Sequence, residues 1–178
     1  MKLFSFILVF TILPFMESYD NLPKFAQKKV DKTLSELFPD QEVIKTKLTF
    51  NSEDKSVVDF DIDSSGELYL LKVDEEERGY AYFSKAPSKF LLFDYVVFFD
   101  NSLQIMRSNV LVYREDYGGE IAARRWLKQF DGKTNGQNME FEKDIDTVSG
   151  ATISCQSMTY GVKKLSKQIY QLKQKGLI

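Results

Sequence analysis

The stretch FLLFDYVVFF, residues 90–99, decides the fold of this chain. Apart from Asp94 it is apolar throughout, which is too continuous for a strand with one face in water. It therefore predicts an interior strand of a sheet that is covered on both faces. A polar turn over residues 100–102 leads into a predicted partner strand over residues 103–114.

Upstream of this strand the pattern alternates between short strand-like runs and polar turns. The turn segments are DSSGE and DEEERG, and the acidic run at residues 74–77 is interpreted as a solvated hairpin tip. The predicted strands cover residues 42–50, 57–62, 67–73 and 80–84. Residues 23–38 predict an amphipathic helix that begins near Pro23. Its apolar side is expected to carry Phe25, Val30, Leu34, Leu37 and Phe38.

Two further helices are predicted downstream. The first spans about residues 120–130 and would pack on the sheet through Ile121, Ala122, Trp126, Leu127 and Phe130. The last helix has apolar residues at alternating spacings of three and four, which place them on one face. These residues are Cys155, Met158, Val162, Leu165, Ile169 and Leu172. Cys155 is accordingly interpreted as a small buried residue rather than a redox thiol. The prediction is an α+β fold: one domain with a mainly antiparallel sheet and packed helices.

The composition excludes several classes of function. The chain has 178 residues and a net charge of −2, with basic and acidic residues interspersed, so nucleic acid is not expected as a partner. It contains no histidine, which excludes His-assisted Ser or Cys catalysis, His-ligated haem and most catalytic zinc sites. With a single cysteine, no internal disulfide or cysteine-ligated iron–sulfur cluster can form. Any redox chemistry would require an organic cofactor.

The N-terminus, MKLFSFILVFTILPFMESYD, has the features of an export leader. Lys2 precedes an apolar run at residues 3–16, which suits a signal peptide and is shorter than the about 20 residues of a spanning helix. Residues 1–18 are therefore predicted to be a signal peptide or an uncleaved anchor. The protein would be exported to the periplasm or the outer face of the cytoplasmic membrane. A buried N-terminal strand or helix is the alternative.

The segment Ser149-Gly150-Ala151-Thr152 stands where the last helix is expected to begin. A glycine there lets the backbone approach a ligand closely, and the first N–H groups of a helix favour an anion, most often phosphate. The alternative is that Ser149 or Thr152 is only an N-cap residue.

The longer pattern Asp146-x-x-Ser149-Gly150-Ala151-Thr152 resembles the flavinylation signature of the FMN-binding domain family. This family includes the C subunit of the sodium-translocating NADH:quinone reductase and the G subunit of the ferredoxin–NAD oxidoreductase complex. The resemblance implies that Thr152 is joined through its hydroxyl to the phosphate of FMN. A dedicated flavin transferase outside the cytoplasm, with FAD as donor, would form this bond. The cofactor site would also include Asp146, Ser149, Gly150, Ala151 and Ser154.

A second segment, YREDYGGEIAARRWLKQFDGK, is similar to the family's strand, Gly-rich loop and Trp-containing helix. It departs from the E-T-P-G-x-G form of the loop that is common in the large complexes. The resemblance implies that Glu115, Gly118, Gly119, Glu120 and Ile121 form a loop near the isoalloxazine ring, with Trp126 and Lys133 just beyond. Residues 89–178 are then the FMN-binding region, and residues 19–88 have no assigned role.

Three functions follow as hypotheses. In the first, the protein is an electron carrier with covalent FMN that relays electrons between redox partner proteins in the cell envelope, either alone or as a subunit of a membrane oxidoreductase. In the second, it is itself a flavin-dependent reductase of a small molecule or metal chelate. In the third, it is an exported structural or binding domain without flavin, and the S-G-A-T run is only a helix cap.

Overall fold

A computed structural model describes residues 22–50 and 66–178. The predicted leader at residues 1–18 and the predicted strand at residues 57–62 lie outside the described residues. The helices and strands are α1 (Lys24–Leu37), β1 (Val43–Lys47), β2 (Glu67–Val73), β3 (Glu76–Pro87), β4 (Leu92–Asp100), β5 (Ile105–Val112), α2 (Arg124–Leu127) and α3 (Thr152–Gln174). Within those two ranges, no helix has the length and apolar character needed to cross a membrane.

The strands form one antiparallel sheet in the order β1-β2-β3-β4-β5, which confirms the predicted α+β fold. Strands that follow one another in the chain pair side by side, because short polar turns connect most of them. Asp74 and Glu75 make the turn between β2 and β3, so the acidic run is a hairpin tip as predicted, although Glu76 and Glu77 already belong to β3.

Strand β4 pairs with a neighbour on each side and is buried from Phe93 to Phe99, as its apolar sequence predicts. Alternate residues face two separate cores. Val96 and Phe98 pack with α1, whereas Val97 and Phe99 pack with α3 and the segment at residues 121–130. Because both faces of the strand are covered, neither can tolerate a run of polar side chains.

The apolar stripe of α3 is buried in full, which confirms its prediction from spacing. Cys155 lies in this stripe and is fully buried. Burial raises the pKa of its thiol, since the charged thiolate would lose its hydration. The thiol is therefore protonated at neutral pH, in agreement with its interpretation as a core residue rather than a redox group.

Three local predictions are wrong. Phe25 is 60% exposed, because Ala26, Val30 and Leu34 form the buried row of α1 at intervals of four. Phe90 is 76% exposed, since residues 88–91 form a turn closed by a bond from the Ser88 N–H to the Leu91 carbonyl. The helix predicted over residues 120–130 is broken. The extended backbone of Ala123 separates a 3₁₀ turn at Gly119–Ala122 from α2, and a second 3₁₀ turn at Lys128–Phe130 follows α2.

Candidate functional site

The end of β5 and the start of α3 meet at one end of the sheet. The hydroxyls of Tyr113, just after β5, and Ser154, in the first turn of α3, are 3.1 Å apart. The Tyr113 ring also packs edge-on against Phe93 of β4, with the ring centroids 5.8 Å apart. These contacts join the sheet to the segment that contains the S-G-A-T run.

Beside this junction lies an open cleft of about 530 Å³. Its volume is within the range of about 300–1,000 Å³ that is typical of small-molecule sites. The residues that line it come from the 89–90 turn, the loop after β5 and the start of α3. They are Lys89, Phe90, Tyr113, Glu115, Asp116, Tyr117, Gly150, Ala151, Thr152, Ile153 and Ser154.

The first turn of α3 presents unpaired backbone donors to this cleft. Ala151 is the N-cap residue, and the first bond of the helical ladder runs from the Cys155 N–H to the Ala151 carbonyl at 2.8 Å. The N–H groups of residues 152–154 precede this ladder and lie at the positive end of the helix dipole. In the part of the chain that the structure describes, neither Ser149 nor Thr152 caps the helix, so the N-cap alternative is wrong.

Thr152 is the first residue of α3 and is exposed, whereas Ser154 is buried against Tyr113. The Thr152 hydroxyl can therefore be reached from solvent at the edge of the cleft. Ser149 and Gly150 are also exposed, and Ala151 is buried beneath them. The helix start thus combines an accessible hydroxyl with backbone donors that suit a phosphate group.

Gly118 brings the loop after β5 into direct contact with the S-G-A-T run. Both Gly118 and Gly150 have φ of +77°, in the left-handed region that favours glycine. A Cβ atom on Gly118 would lie 2.6 Å from the Cβ of Ala151 and 2.7 Å from the carbonyl oxygen of Gly150. No other residue type fits this position without displacing the start of α3.

Trp126 stabilises the backbone just before the S-G-A-T run. Its indole N–H donates to the backbone carbonyl of Asp146 at 2.7 Å, and the Asp146 N–H donates to the side chain of Gln129 at 2.9 Å. The indole is buried and packs edge-on against Phe130. The backbone of Asp146 is therefore held from two sides, while the residue itself is exposed at the surface.

Glu115 shapes one wall of the cleft. Its carboxylate accepts hydrogen bonds from the Ser88 hydroxyl at 2.5 Å, the Phe90 N–H at 2.8 Å and the Leu91 N–H at 3.0 Å. The bond from Ser88, and next the bond from Phe90, hold the pKa of this carboxyl below its usual range. Glu115 therefore fixes the turn at residues 88–91 through its charge.

Glu115→Gln is expected to reduce the loss of stability on acidification. A carboxyl with a lowered folded-state pKa stabilises the protein above its unfolded pKa of about 4.3, and this contribution disappears as the pH falls through the folded pKa. Urea unfolding at a series of pH values from about 6 to about 3 would measure the difference. The wild type should lose more unfolding free energy over this range than Glu115→Gln. The control is Glu120→Gln, at an exposed position on the same loop. Equal losses of unfolding free energy in the wild type and in Glu115→Gln would contradict the role of Glu115.

The structure places the remaining predicted residues away from the cleft or at its margin. Gly119 and Glu120 are exposed on the loop, and Ile121 is fully buried in the core. The carbonyl of Lys133 accepts the N–H of Ile105, so Lys133 lies at the start of β5, whereas the cleft lies beyond its end. Eight residues of strand at about 3.4 Å each separate these two ends.

Sequence reasoning missed several residues of the cleft. The missed residues are Lys89, Phe90, Tyr113, Asp116, Tyr117 and Ile153. One of them could have been found from the sequence. Tyr117 is an aromatic residue between Asp116 and Gly118 in a polar loop, and an aromatic residue that is not expected to be buried is a candidate for ligand contact. Tyr117 and Phe90 are both strongly exposed and offer aromatic surface to a ligand. The cleft therefore combines backbone donors that suit a phosphate with aromatic surface that suits a flat ring system, and FMN contains both groups.

Comparison with known proteins agrees with this geometry. Residues 92–167 match the model of a family described as the FMN-binding domain. The match begins at the first residue of β4, ends within α3, and includes all of the cleft residues except Lys89 and Phe90. It covers somewhat less than half of the 178 residues. A search of curated proteins found no match. The family match confirms the resemblance stated from the sequence and supports FMN as the cofactor.

Proposed function

We propose that this chain, an FMN-binding flavoprotein by its match over residues 92–167, is exported and carries one FMN joined through its phosphate to Thr152. In this state it relays electrons between redox partner proteins in the cell envelope. One observation carries the proposal: within the matched segment, Thr152 places an exposed hydroxyl at the start of α3 and at the edge of the cleft.

The residues around Thr152 fit a phosphodiester. Such a group keeps one negative charge, which the N–H groups of residues 152–154 and the helix dipole stabilise. Gly150 adds a stretch of exposed backbone without a side chain beside the attachment point. Phe90 and Tyr117 supply aromatic surface for the ring system. When bound, FMN supplies electron and hydride transfer, chemistry that the side chains of the cleft do not provide.

The attachment requires a second protein, a flavin transferase. With FAD as donor, the Thr152 oxygen forms a bond to the FMN-side phosphorus, the bond to the bridging oxygen breaks, AMP leaves and the hydroxyl proton is lost. Exposure of Asp146, Ser149 and Thr152 supports recognition by such an enzyme, since a modifying enzyme must reach the segment from outside. The clamped backbone of Asp146 would present this segment in one shape.

Export of the protein gives a reason for covalent attachment of its cofactor. The apolar run at residues 3–16 supports transfer out of the cytoplasm, to the periplasm or the outer face of the membrane. Outside the cytoplasmic pool of FMN, a reversibly bound cofactor would be lost by mass action, whereas a phosphodiester cannot dissociate. A small domain with one cofactor needs an electron donor and an acceptor, and we expect these to be membrane-bound proteins.

The test is to co-express the full chain with a flavin transferase and to denature the purified protein. We expect yellow colour and flavin absorbance to stay with the denatured chain. The mass of the chain should increase by that of one whole FMN molecule less one water, because the ester bond to Thr152 forms with loss of water overall. Colour lost on denaturation would contradict the tether but leave FMN binding intact. Colourless protein would support the flavin-free alternative. Steady turnover of a soluble acceptor without a partner protein would indicate a reductase rather than a carrier.

A further inference from the structure

In addition to Tyr117 and Ile153, which line the cleft, four large apolar side chains are exposed at the same end of the molecule. They are Phe25, Phe90, Leu91 and Leu92, and we call them the apolar end patch. Only Phe90 lines the cleft. The side chains of the other three have no role in the site described above. Three of the four are consecutive in the chain, so their exposure is grouped at one place rather than scattered over the surface.

The contacts of α1 place Phe25 at this end of the molecule. Lys29 donates to the carbonyl of Val110, the Thr33 hydroxyl accepts from Asn109, and Glu36 pairs with Arg107. Moving toward the N-terminus of α1 therefore leads toward the end of β5, and Phe25 lies about one helical turn before Lys29.

Arg114 places residues 90–92 at the same end. It follows β5, and its guanidinium donates to the carbonyl of Leu92 at 2.7 Å. The start of β4 and the end of β5 therefore lie together beside the cleft. Both parts of the apolar end patch thus share one end of the sheet with the first turn of α3.

The chain also enters the fold at this end. The first described residue, Leu22, lies two residues before α1, and the apolar run at residues 3–16 lies upstream of it. Residues 17–21 separate the two and can span at most about 18 Å when fully extended. If residues 3–16 are held in a bilayer, this reach keeps Leu22 and the start of α1, with Phe25, near its surface.

Positive charges accompany the patch. Lys24 and Lys28 are exposed on the first turns of α1, and the Lys89 ammonium lies 4.9 Å from the centroid of the Phe90 ring. Apolar and aromatic side chains flanked by lysines are typical of surfaces that lie in the interface of a bilayer with anionic lipids. The combination favours a lipid surface over a purely apolar protein groove.

We propose that the apolar end patch lies against the lipid bilayer, so that the FMN cleft opens at the membrane surface. The anionic headgroups contact Lys24, Lys28 and Lys89, while Phe25, Phe90, Leu91 and Leu92 enter the interface. This inference rests on the proposed function, in which the chain is exported, and it adds that residues 3–16 stay in the membrane as an uncleaved anchor. Electrons would then be exchanged with partners at the bilayer surface.

Spin labels at two matched positions test the orientation. Leu91→Cys and Ile44→Cys replace side chains that are each 48% exposed, and Ile44 lies on β1 at the opposite edge of the sheet from β5. The native Cys155 is buried and should not react. Each labelled full chain is reconstituted into vesicles of phosphatidylcholine and phosphatidylglycerol. Collision with oxygen, which enters lipid, is then compared with collision with a water-soluble nickel chelate.

We expect the Leu91 label to lose accessibility to nickel several-fold on reconstitution and to gain accessibility to oxygen. The Ile44 label should stay accessible to nickel. Equal nickel accessibility at both positions would overturn the proposal. Spin–spin broadening between Leu91 labels would also overturn it, because a second copy of the chain would then cover the patch. Leu92→Cys gives a second reading if Leu91→Cys does not fold.

The same samples separate this inference from the proposed function. Denaturation-resistant flavin reports on Thr152, whereas the label accessibilities report on the apolar end patch. A lipid-shielded Leu91 label in a protein without covalent flavin would refute the tether alone. A fully flavinylated protein whose Leu91 label stays in water would refute the orientation alone.

Discussion

Thr152→Ala is expected to reduce covalent flavin to background when the chain is co-expressed with a flavin transferase. The bond requires an oxygen at the first position of α3, and alanine removes it. The nearby Ser154 hydroxyl cannot replace it, because Ser154 is buried and within hydrogen-bonding distance of Tyr113. Intact mass of the denatured protein measures the adduct directly. Since Thr152 is exposed, its loss should change the free energy of unfolding by no more than about 0.5 kcal/mol.

Two variants control for this result. Thr152→Ser keeps a hydroxyl at the same place and should retain flavin, whereas Thr46→Ala removes an exposed threonine from β1 and should have no effect. A full-mass adduct in Thr152→Ala would contradict the assignment. Peptide mapping of that adduct would then locate the true site, with the exposed Ser149 as the first residue to examine.

Gly118→Ala is expected to destabilise the protein and to slow flavinylation. A left-handed backbone costs a non-glycine residue about 1–2 kcal/mol, and overpacking adds about 1–3 kcal/mol, so we expect a loss of about 2–5 kcal/mol. The added Cβ would meet Ala151 and the Gly150 carbonyl at distances that force the two segments apart. Displacement of Gly150 and Ala151 would disturb the start of α3, where Thr152 is presented. Urea unfolding and the initial rate of flavin incorporation measure the two effects.

Gly119→Ala is the matched control. It adds the same methyl group to the next residue, where nothing lies within 4 Å of the added atom. We expect a change in unfolding free energy of no more than about 0.5 kcal/mol and an unchanged rate of flavin incorporation. Equal effects of the two substitutions would show that the contact between Gly118 and the S-G-A-T run is not needed for stability or maturation.

Features that depend on local periodicity were predicted correctly from the sequence. The apolar run at residues 90–99 predicted an interior strand, and the spacing from Cys155 to Leu172 predicted the buried face of α3. Burial on both faces of a strand, or on one face of a helix, leaves its pattern within a few consecutive residues.

The predictions of burial were wrong where contacts between distant parts of the chain, rather than the local sequence pattern, determine exposure. Phe25 and Phe90 are apolar residues beside apolar runs, so the sequence predicted burial, yet both are exposed at the cleft end of the sheet. Their exposure depends on where α1 crosses β5 and where the bond network of Glu115 turns the chain at residues 88–91. Such information involves residues more than twenty positions apart, and no local window contains it.

The sequence by itself determined the α+β fold, the start of the last helix, the absence of histidine chemistry and the family to which residues 92–167 match. It also supplied Thr152 as the predicted attachment residue. Only the tertiary structure showed that Gly118 contacts Gly150 and that the Trp126 indole donates to the Asp146 carbonyl. It also showed that the Glu115 carboxylate lines the cleft and that Lys133 lies at the opposite end of β5 from it. The physical reason is that side-chain type and spacing determine secondary structure locally, whereas a site forms from segments that meet only when the core packs.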